Sequence, residues 1–479
     1  MKRAKRLYIL LGVLAVLSVA AIAVIQREEH KEKIKDSGET ILQIPYEGVT
    51  ALSWENESES LSFHKGEDGV WTYDEDENFP VSEEKIKELL EPFEEFAAAF
   101  VIEEVEDYSQ YGLDDPVCTI HVENGEQELE IKLGNFSNMD SQRYVSIGDG
   151  KAYLVKDDPL NYFDAVLKDM LKQDEIPELE TVSSLRFTGP ETYEAVRIED
   201  SGASYSSEDV YFKKDGENLL PLDPVQVDEY IRTLQNLDLS DYASYYVSEE
   251  EWSTYGLDAP ELSLEADYTF ENEDKENVSG TLTVSVSRDP KEKEKAEKEE
   301  QKENSEENSG EEEEITAYAR VNNSQIAYKL TAEDYKGLMA MKYDDLRHKE
   351  VFWGDTEEIT GIDISLEGAD YSLTSKGKKD DRTWTYQEEE IEADELLSAL
   401  EGLKADRFTE EEPGQKEEIR LTLHLDNEVS PQVTIVLYRY DGSSCLAEAD
   451  GKTVSLIPRS QAVDLIEAVN TIVLGNTED

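Results

Sequence analysis

The sequence predicts an α+β protein: three tandem modules of mostly antiparallel sheet with two helices each, after one N-terminal transmembrane helix. Three observations predict it. Leu7–Ile25 is an apolar run without a charge. A hydrophobic triad at fixed offsets opens a strand three times: Val49, Leu52 and Trp54, then Val182, Leu185 and Phe187, then Ile359, Ile362 and Ile364. A Tyr-Gly-Leu-Asp-x-Pro string follows an amphipathic helical pattern twice, as Tyr111, Gly112, Leu113, Asp114 and Pro116 and as Tyr255, Gly256, Leu257, Asp258 and Pro260. The length, 479 residues, suits about three domains of roughly 150 residues.

The N-terminal segment comes first. Residues 1–6 carry four basic side chains and predict a cytoplasmic tip by the positive-inside rule. Residues 7–25 rise about 28 Å as a helix, close to the roughly 30 Å hydrocarbon core. An uncleaved single-pass anchor is the reading taken. A cleaved signal peptide, with Ala21-Ile22-Ala23 as its cleavage site, is the competing one. Residues 26–40 read as a polar stalk. The bulk of the chain is expected outside the cytoplasm at the cell membrane.

The modules span 41–178, 179–352 and 353–475. After the triad come a second strand and a short one, Trp71-Thr72-Tyr73 in the first module and Trp384-Thr385-Tyr386 in the third. A helix follows, with Ser82 and Asp223 as N-caps. Its apolar stripe is Ile86, Leu89, Leu90, Phe93 and Phe96 in the first copy. The second has Val227, Tyr230, Ile231, Leu234 and Leu237, and the third Ala393, Leu396, Leu397, Leu400 and Leu403. The Tyr-Gly-Leu-Asp-x-Pro string reads as a structural turn, because Gly permits positive φ and Pro fixes the start of the next strand. The third module has Pro413-Gly414 instead. Hairpins turning at Asp149-Gly150, Asn322-Asn323 and Asp450-Gly451 come next, and a final helix over about 158–172, 332–346 and 459–473 closes each copy. Each module thus reads β-β-β-α-β-β-β-β-α. Within the second, 291–314 is almost wholly charged or polar and predicts disorder or a frayed helix.

The chain carries 46 basic and 113 acidic residues, a formal charge of −67. Such a surface repels nucleic-acid phosphates and anionic lipids. No catalytic, cofactor or metal-binding residue is assigned. The two cysteines, Cys118 and Cys445, form no zinc motif, and whether they pair is left open. Asp74, Asp76 and Asn78 begin like a calcium loop, but Phe79 stands where Gly is needed and Lys85 where Glu is needed. The histidines, His30, His64, His121, His348 and His424, form no metalloprotease pattern, and no nucleophile elbow or P-loop occurs.

With its N-terminal anchor, Trp71-Thr72-Tyr73, Pro80-Val81-Ser82, Tyr111 to Pro116 and Ile131-Lys132-Leu133-Gly134, the chain resembles the bacterial domain-of-unknown-function 4340 family. The resemblance is best over about 45–175 and faintest over 355–475. It implies a single-pass membrane protein encoded beside gliding-type ABC transporter components, with no catalytic residues to carry over. The expected function is that of a non-enzymatic extracytoplasmic accessory or binding protein with a protein partner, possible ABC transporter subunits among them. Two alternatives stand beside it. One is a cell-envelope or carbohydrate-binding repeat protein with Trp54 or Trp252 exposed in a groove; the other is an envelope hydrolase.

Overall fold

The computed structural model describes residues 34–125, 127–300, 315–377, 382–413 and 416–475. The expected anchor, Leu7–Ile25, lies outside them, and among the described residues no helix is long and apolar enough to cross a membrane. Three nine-stranded antiparallel sheets follow one another along the chain, with eight α-helices among the described residues. The mixed, mostly antiparallel class is as the sequence predicts.

The first sheet comprises β1 (Ile34–Leu42), β2 (Val49–Asn56), β3 (Ser60–Lys65), β4 (Trp71–Tyr73), β5 (Phe96–Ile102), β6 (Cys118–Asn124), β7 (Gln127–Ser137), β8 (Gln142–Ser146) and β9 (Ala152–Val155). The second comprises β10 (Thr181–Thr188), β11 (Tyr193–Arg197), β12 (Tyr211–Asp215), β13 (Asn218–Pro221), β14 (Tyr242–Ser244), β15 (Leu262–Glu271), β16 (Asn277–Arg288), β17 (Ala317–Val321) and β18 (Ala327–Leu330). The third comprises β19 (Ile359–Leu366), β20 (Ala369–Lys376), β21 (Thr383–Tyr386), β22 (Glu389–Ile391), β23 (Arg407–Phe408), β24 (Glu417–Leu425), β25 (Gln432–Arg439), β26 (Ser444–Ala449) and β27 (Lys452–Pro458).

The second and third sheets have the same topology, β13-β12-β11-β10-β15-β16-β17-β18-β14 and β22-β21-β20-β19-β24-β25-β26-β27-β23. The first runs β4-β3-β2-β6-β7-β8-β9-β5-β1. It lacks the fourth strand of the opening meander and gains β1 as an outer edge. A strand absent from the expected pattern appears in every copy: β5, β14 and β23 follow the helix and pair with the last strand of the hairpin. The latter two are three and two residues long, too short to show an alternation.

The repeated triad has a physical cause. Offsets of three and then two break the period of a flat strand, where every second side chain faces one side. In each copy the ladder shifts register inside that interval, between Val49 and Ala51, Val182 and Ser184, and Ile359 and Gly361. The extra residue of this β-bulge lets the first and second apolar residues both face the core. Val49, Leu52 and Trp54 are accordingly buried, as are their counterparts.

Each helix except the charged one over Pro290–Glu300 buries apolar side chains in the core. They are α1 (Glu83–Glu94), α2 (Leu160–Phe163), α3 (Pro224–Gln235), α4 (Pro290–Glu300), α5 (Ala332–Met339), α6 (Tyr343–Leu346), α7 (Asp394–Glu401) and α8 (Arg459–Gly475). Ser82 and Asp223 cap α1 and α3, accepting from Lys85 N at 3.3 Å and Val225 N at 2.9 Å. The expected stripes run past the helices: Phe96, Leu237 and Leu403 lie beyond Glu94, Gln235 and Glu401. All three are still buried, because the chain turns there and keeps them on the core.

One correction concerns the closing helices. The final helix is continuous only in the third copy. In the first it breaks after Phe163, because Asn56 Nδ2 donates to Phe163 O at 2.9 Å and Trp54 Nε1 to Ala165 O at 3.4 Å. Glu59 accepts from Leu167 N at 2.7 Å. In the second it breaks after Met339; Tyr230 Oη donates to Leu338 O at 3.0 Å and Tyr193 Oη to Met341 O at 2.6 Å. Side-chain donors from sheet and helix satisfy these carbonyls where the next helical turn would otherwise do so. The acidic insertion, expected to be disordered or a frayed helix, is helical at its start, over Pro290–Glu300. Asp289 accepts from Lys291 N at 2.8 Å, and Glu292 accepts from Thr316 N at 2.9 Å, so both ends of the connection are pinned. Residues 301–314 lie outside the described residues.

The chain divides into two compact units, one ending at Gln173 and one beginning at Asp174. The second and third sheets share the latter. The β11–β12 connection sends Tyr205 into the core under the third sheet, beside Val351 and Phe352.

Candidate functional site

The twice-occurring turn is a helix stop. Tyr108–Tyr111 and Trp252–Tyr255 each form one 3-10 turn, ended by Gly112 at φ +67 and Gly256 at φ +70. Leu113 N donates to Tyr108 O at 3.1 Å and Gly112 N to Ser109 O at 3.2 Å. Leu257 and Gly256 repeat the pair on Trp252 and Ser253. This is the Schellman arrangement, with Leu113 and Leu257 buried behind it. Tyr111 packs on Tyr144 and Tyr255 on Tyr318, with ring centroids 4.9 and 5.1 Å apart. Asp114 and Asp258 point to solvent, and Pro116 and Pro260 are half-buried ahead of β6 and β15. The ten residues build two copies of one turn and do not converge on each other.

Trp54 and Trp252 are both buried, at 1% and 3% exposure, which removes the aromatic groove expected of a carbohydrate binder. Trp54 sits between Phe63 and Phe163, and Arg320 covers the Trp252 ring at 4.2 Å. Cys118 and Cys445 are free and buried. Burial pushes the Cys118 thiol up to about 12 and raises that of Cys445, so neither is a ready nucleophile.

Two exposed groups join Ser, His and Asp. Ser62 and His64 both bond Asp74, and Ser372 and His424 both bond Asp363. In each the carboxylate is central and the hydroxyl bonds the acid instead of the imidazole. A serine nucleophile needs its hydroxyl on the imidazole, so neither group activates one.

A partly buried polar cluster lies between the second and third sheets, on the segment after α6. His348 Nε2 is 2.8 Å from Asp209 Oδ1. Asp209, from the β11–β12 connection, has a fully buried carboxylate. Its other oxygen accepts from Trp353 Nε1 at 2.9 Å and from Ser204 Oγ. The Trp353 ring stacks on the imidazole, 4.8 Å between centroids and 9° between planes, and on its other neighbour Tyr205 at 4.7 Å. Burial drives the Tyr205 hydroxyl well above its ordinary value. A buried carboxylate requires such donors, and Asp209 therefore holds the Nε2–H tautomer of His348.

Around the imidazole stand Asp223 and Glu350. One ring nitrogen of His348 and one carboxylate oxygen each from Asp223 and Glu350 lie within 4.8 Å of one another. Asp223 is placed by its capping role and by its own N–H, which donates to Leu346 O at 2.8 Å. Glu350 is placed by a bridge to Lys404 and by Val351 N donating to Leu403 O at 2.9 Å. Partial burial works against ionisation of Glu350, but the Lys404 ammonium at 2.9 Å holds its carboxyl below the usual range. The Ser204 hydroxyl donates to Asp209 and not to the imidazole. One imidazole and two carboxylates are a donor set for a divalent cation.

The sequence signals little of this. His348 and Glu350 are two apart, the spacing that puts side chains on one side of an extended segment, and that is the local clue. Asp209 and Asp223 lie far back in the chain and reach the cluster only through the packing of the two sheets.

Residues 71–260 match the family described as a domain of unknown function, DUF4340. No curated protein and no solved structure matches the chain. The matched stretch runs from β4 through the first Tyr-Gly-Leu-Asp-x-Pro turn to the end of the second, so the part of the chain in which that turn is repeated is similar to the DUF4340 family.

Proposed function

We propose that this chain is a non-enzymatic, single-pass membrane protein whose repeated modules bind a partner outside the cytoplasm, as an accessory subunit of an ABC-type, gliding-like transporter complex. The observation that carries the reading is the repetition itself: three nine-stranded antiparallel sheets, two of identical topology and the third a variant of it, on which the described residues place no hydroxyl or thiol against an imidazole. Repeated modules supply extended surface, and binding in series multiplies modest affinities. Leu7–Ile25 supplies the tether, and the transporter context is what the resemblance read from the sequence implies. The charge of −67 suits a partner with basic patches and steers its encounter.

Two measurements test this. Protease added to intact cells should degrade the acidic modules, and alkaline extraction should leave the chain in the membrane; release by alkali removes the anchor from the reading. Crosslinked purification from native membranes should recover ABC-type subunits. Their consistent absence, with the chain itself recovered, overturns the transporter assignment.

A further inference from the structure

We propose that Asp223, His348 and Glu350 bind one divalent first-row transition-metal cation, Zn2+ the best fit, which ties the second module to the third. The site goes beyond the accessory function and does not depend on it.

The chemistry begins at the imidazole. Asp209 and Trp353 together fix the ring, the first by the hydrogen bond to Nε2 and the second by stacking. Asp209 also accepts from Trp353 Nε1, so the three groups lock one another. A carboxylate on one ring nitrogen leaves the other with its lone pair available, and this is the arrangement that supports metal-bound histidines. Here the supporting carboxylate is fully buried, whereas the ligand carboxylates are only partly so. The supporting shell is thus built more rigidly than a solvated acidic patch requires.

The ligands come from three places that the fold brings together. Asp223 starts α3 on the second module, His348 lies on the connecting segment, and Glu350 faces Lys404 of the third. The three donor atoms lie within 4.8 Å of one another. A cation about 2.0–2.2 Å from each needs them roughly 3.3 Å apart, which rotation of two carboxylate side chains provides. Asp223 keeps its cap through Oδ1, which accepts from Val225 N, and offers its second oxygen. Lys404 holds Glu350 through an ammonium whose side chain is 55% exposed; such a bridge contributes little and a divalent cation displaces it. The nitrogen ligand favours Zn2+ over Mg2+ and Ca2+, which prefer all-oxygen shells, and water completes the coordination.

The test uses the full chain in detergent, stripped of metal and held in excess Mg2+ to fill weak sites on its acidic surface. Titration with Co2+, read by visible absorbance, should show one saturable equivalent, displaced by Zn2+. Zn2+ should raise the melting temperature of the unit that contains the site. His348→Gln, Asp223→Asn and Glu350→Gln should each weaken Co2+ binding at least tenfold, Asp223→Asn doing so with its helix cap retained. Asp209→Asn should weaken it by about 10–100-fold through the imidazole's orientation, with a changed Co2+ spectrum. Circular dichroism of the apo variants checks folding, and if His348→Gln fails to fold, the two carboxamide variants decide. Binding abolished by Mg2+, or unchanged in Asp223→Asn and Glu350→Gln, overturns the proposal.

Discussion

Gly112 and Gly150 both hold positive φ, at +67 and +85, but in different surroundings. A Cβ at Gly112 would stand 2.7 Å from Asn135 Cγ, whereas one at Gly150 meets nothing. Gly150→Ala should cost only the left-handed backbone strain, about 1 kcal/mol. Gly112→Ala should cost at least about 1 kcal/mol more, since Asn135 and its strand must shift; urea unfolding of the two variants reads the difference, and equal costs would mean the contact relaxes freely. Asp267 illustrates charge at the same scale. Hydrogen bonds from Arg186 at 2.6 Å and Thr281 at 2.6 Å hold its carboxyl well below its ordinary value. With the folded value below the unfolded one, near 3.9, this group's stabilisation is whole above about pH 4 and is lost as pH falls toward the folded value. Asp267→Asn should therefore lower the urea midpoint at neutral pH by a small amount, within about 1 kcal/mol for so exposed a pair. The deficit should shrink below about pH 4; one that stays constant across that range would assign it to packing instead of charge.

Among the elements, the closing helix shows local preference yielding to tertiary partners. Its apolar spacing is helical in all three copies, yet only α8 runs uninterrupted, from Arg459 to Gly475. Tyr230 and Tyr193 claim the Leu338 and Met341 carbonyls in the second copy. Tyr230→Phe leaves the shape of the core intact and strands the Leu338 carbonyl, so it should destabilise its unit by about 1–3 kcal/mol, measured by denaturant melts. No loss would show that water or a restored helical turn satisfies that carbonyl. The opening strands behave in the opposite way: their offsets of three and two were readable in the sequence, and the bulge that explains them was latent in the spacing. The turn was equally legible, because Gly112 and Gly256 end a helical turn by a conformation that glycine adopts without strain. The short strands β14 and β23 were not, since two or three residues carry no period and are held by the β18 and β27 edges alone.

Over the whole molecule, a charge of −67 makes self-repulsion a standing cost of compactness. Salt screens it, with a Debye length of about 10 Å at 0.1 M. The melting temperature should therefore rise between low and moderate NaCl, and a fall would place the balance in exposed attractive pairs such as Arg186 with Glu265, 2.9 Å apart. The sequence by itself determined the repeat, the α+β class, the core-facing residues and the turns, because each follows from neighbours a few positions apart: apolar period, cap chemistry and glycine's backbone freedom. Only the tertiary structure decided which final helices break, that Trp54 and Trp252 are core residues, and that Asp209, Asp223, His348 and Glu350 meet. Those outcomes depend on which distant groups reach a carbonyl, a ring face or an imidazole once the sheets are packed. His348 belongs to no metal motif in the sequence; packing sets it against the buried Asp209 carboxylate and beside Asp223 and Glu350.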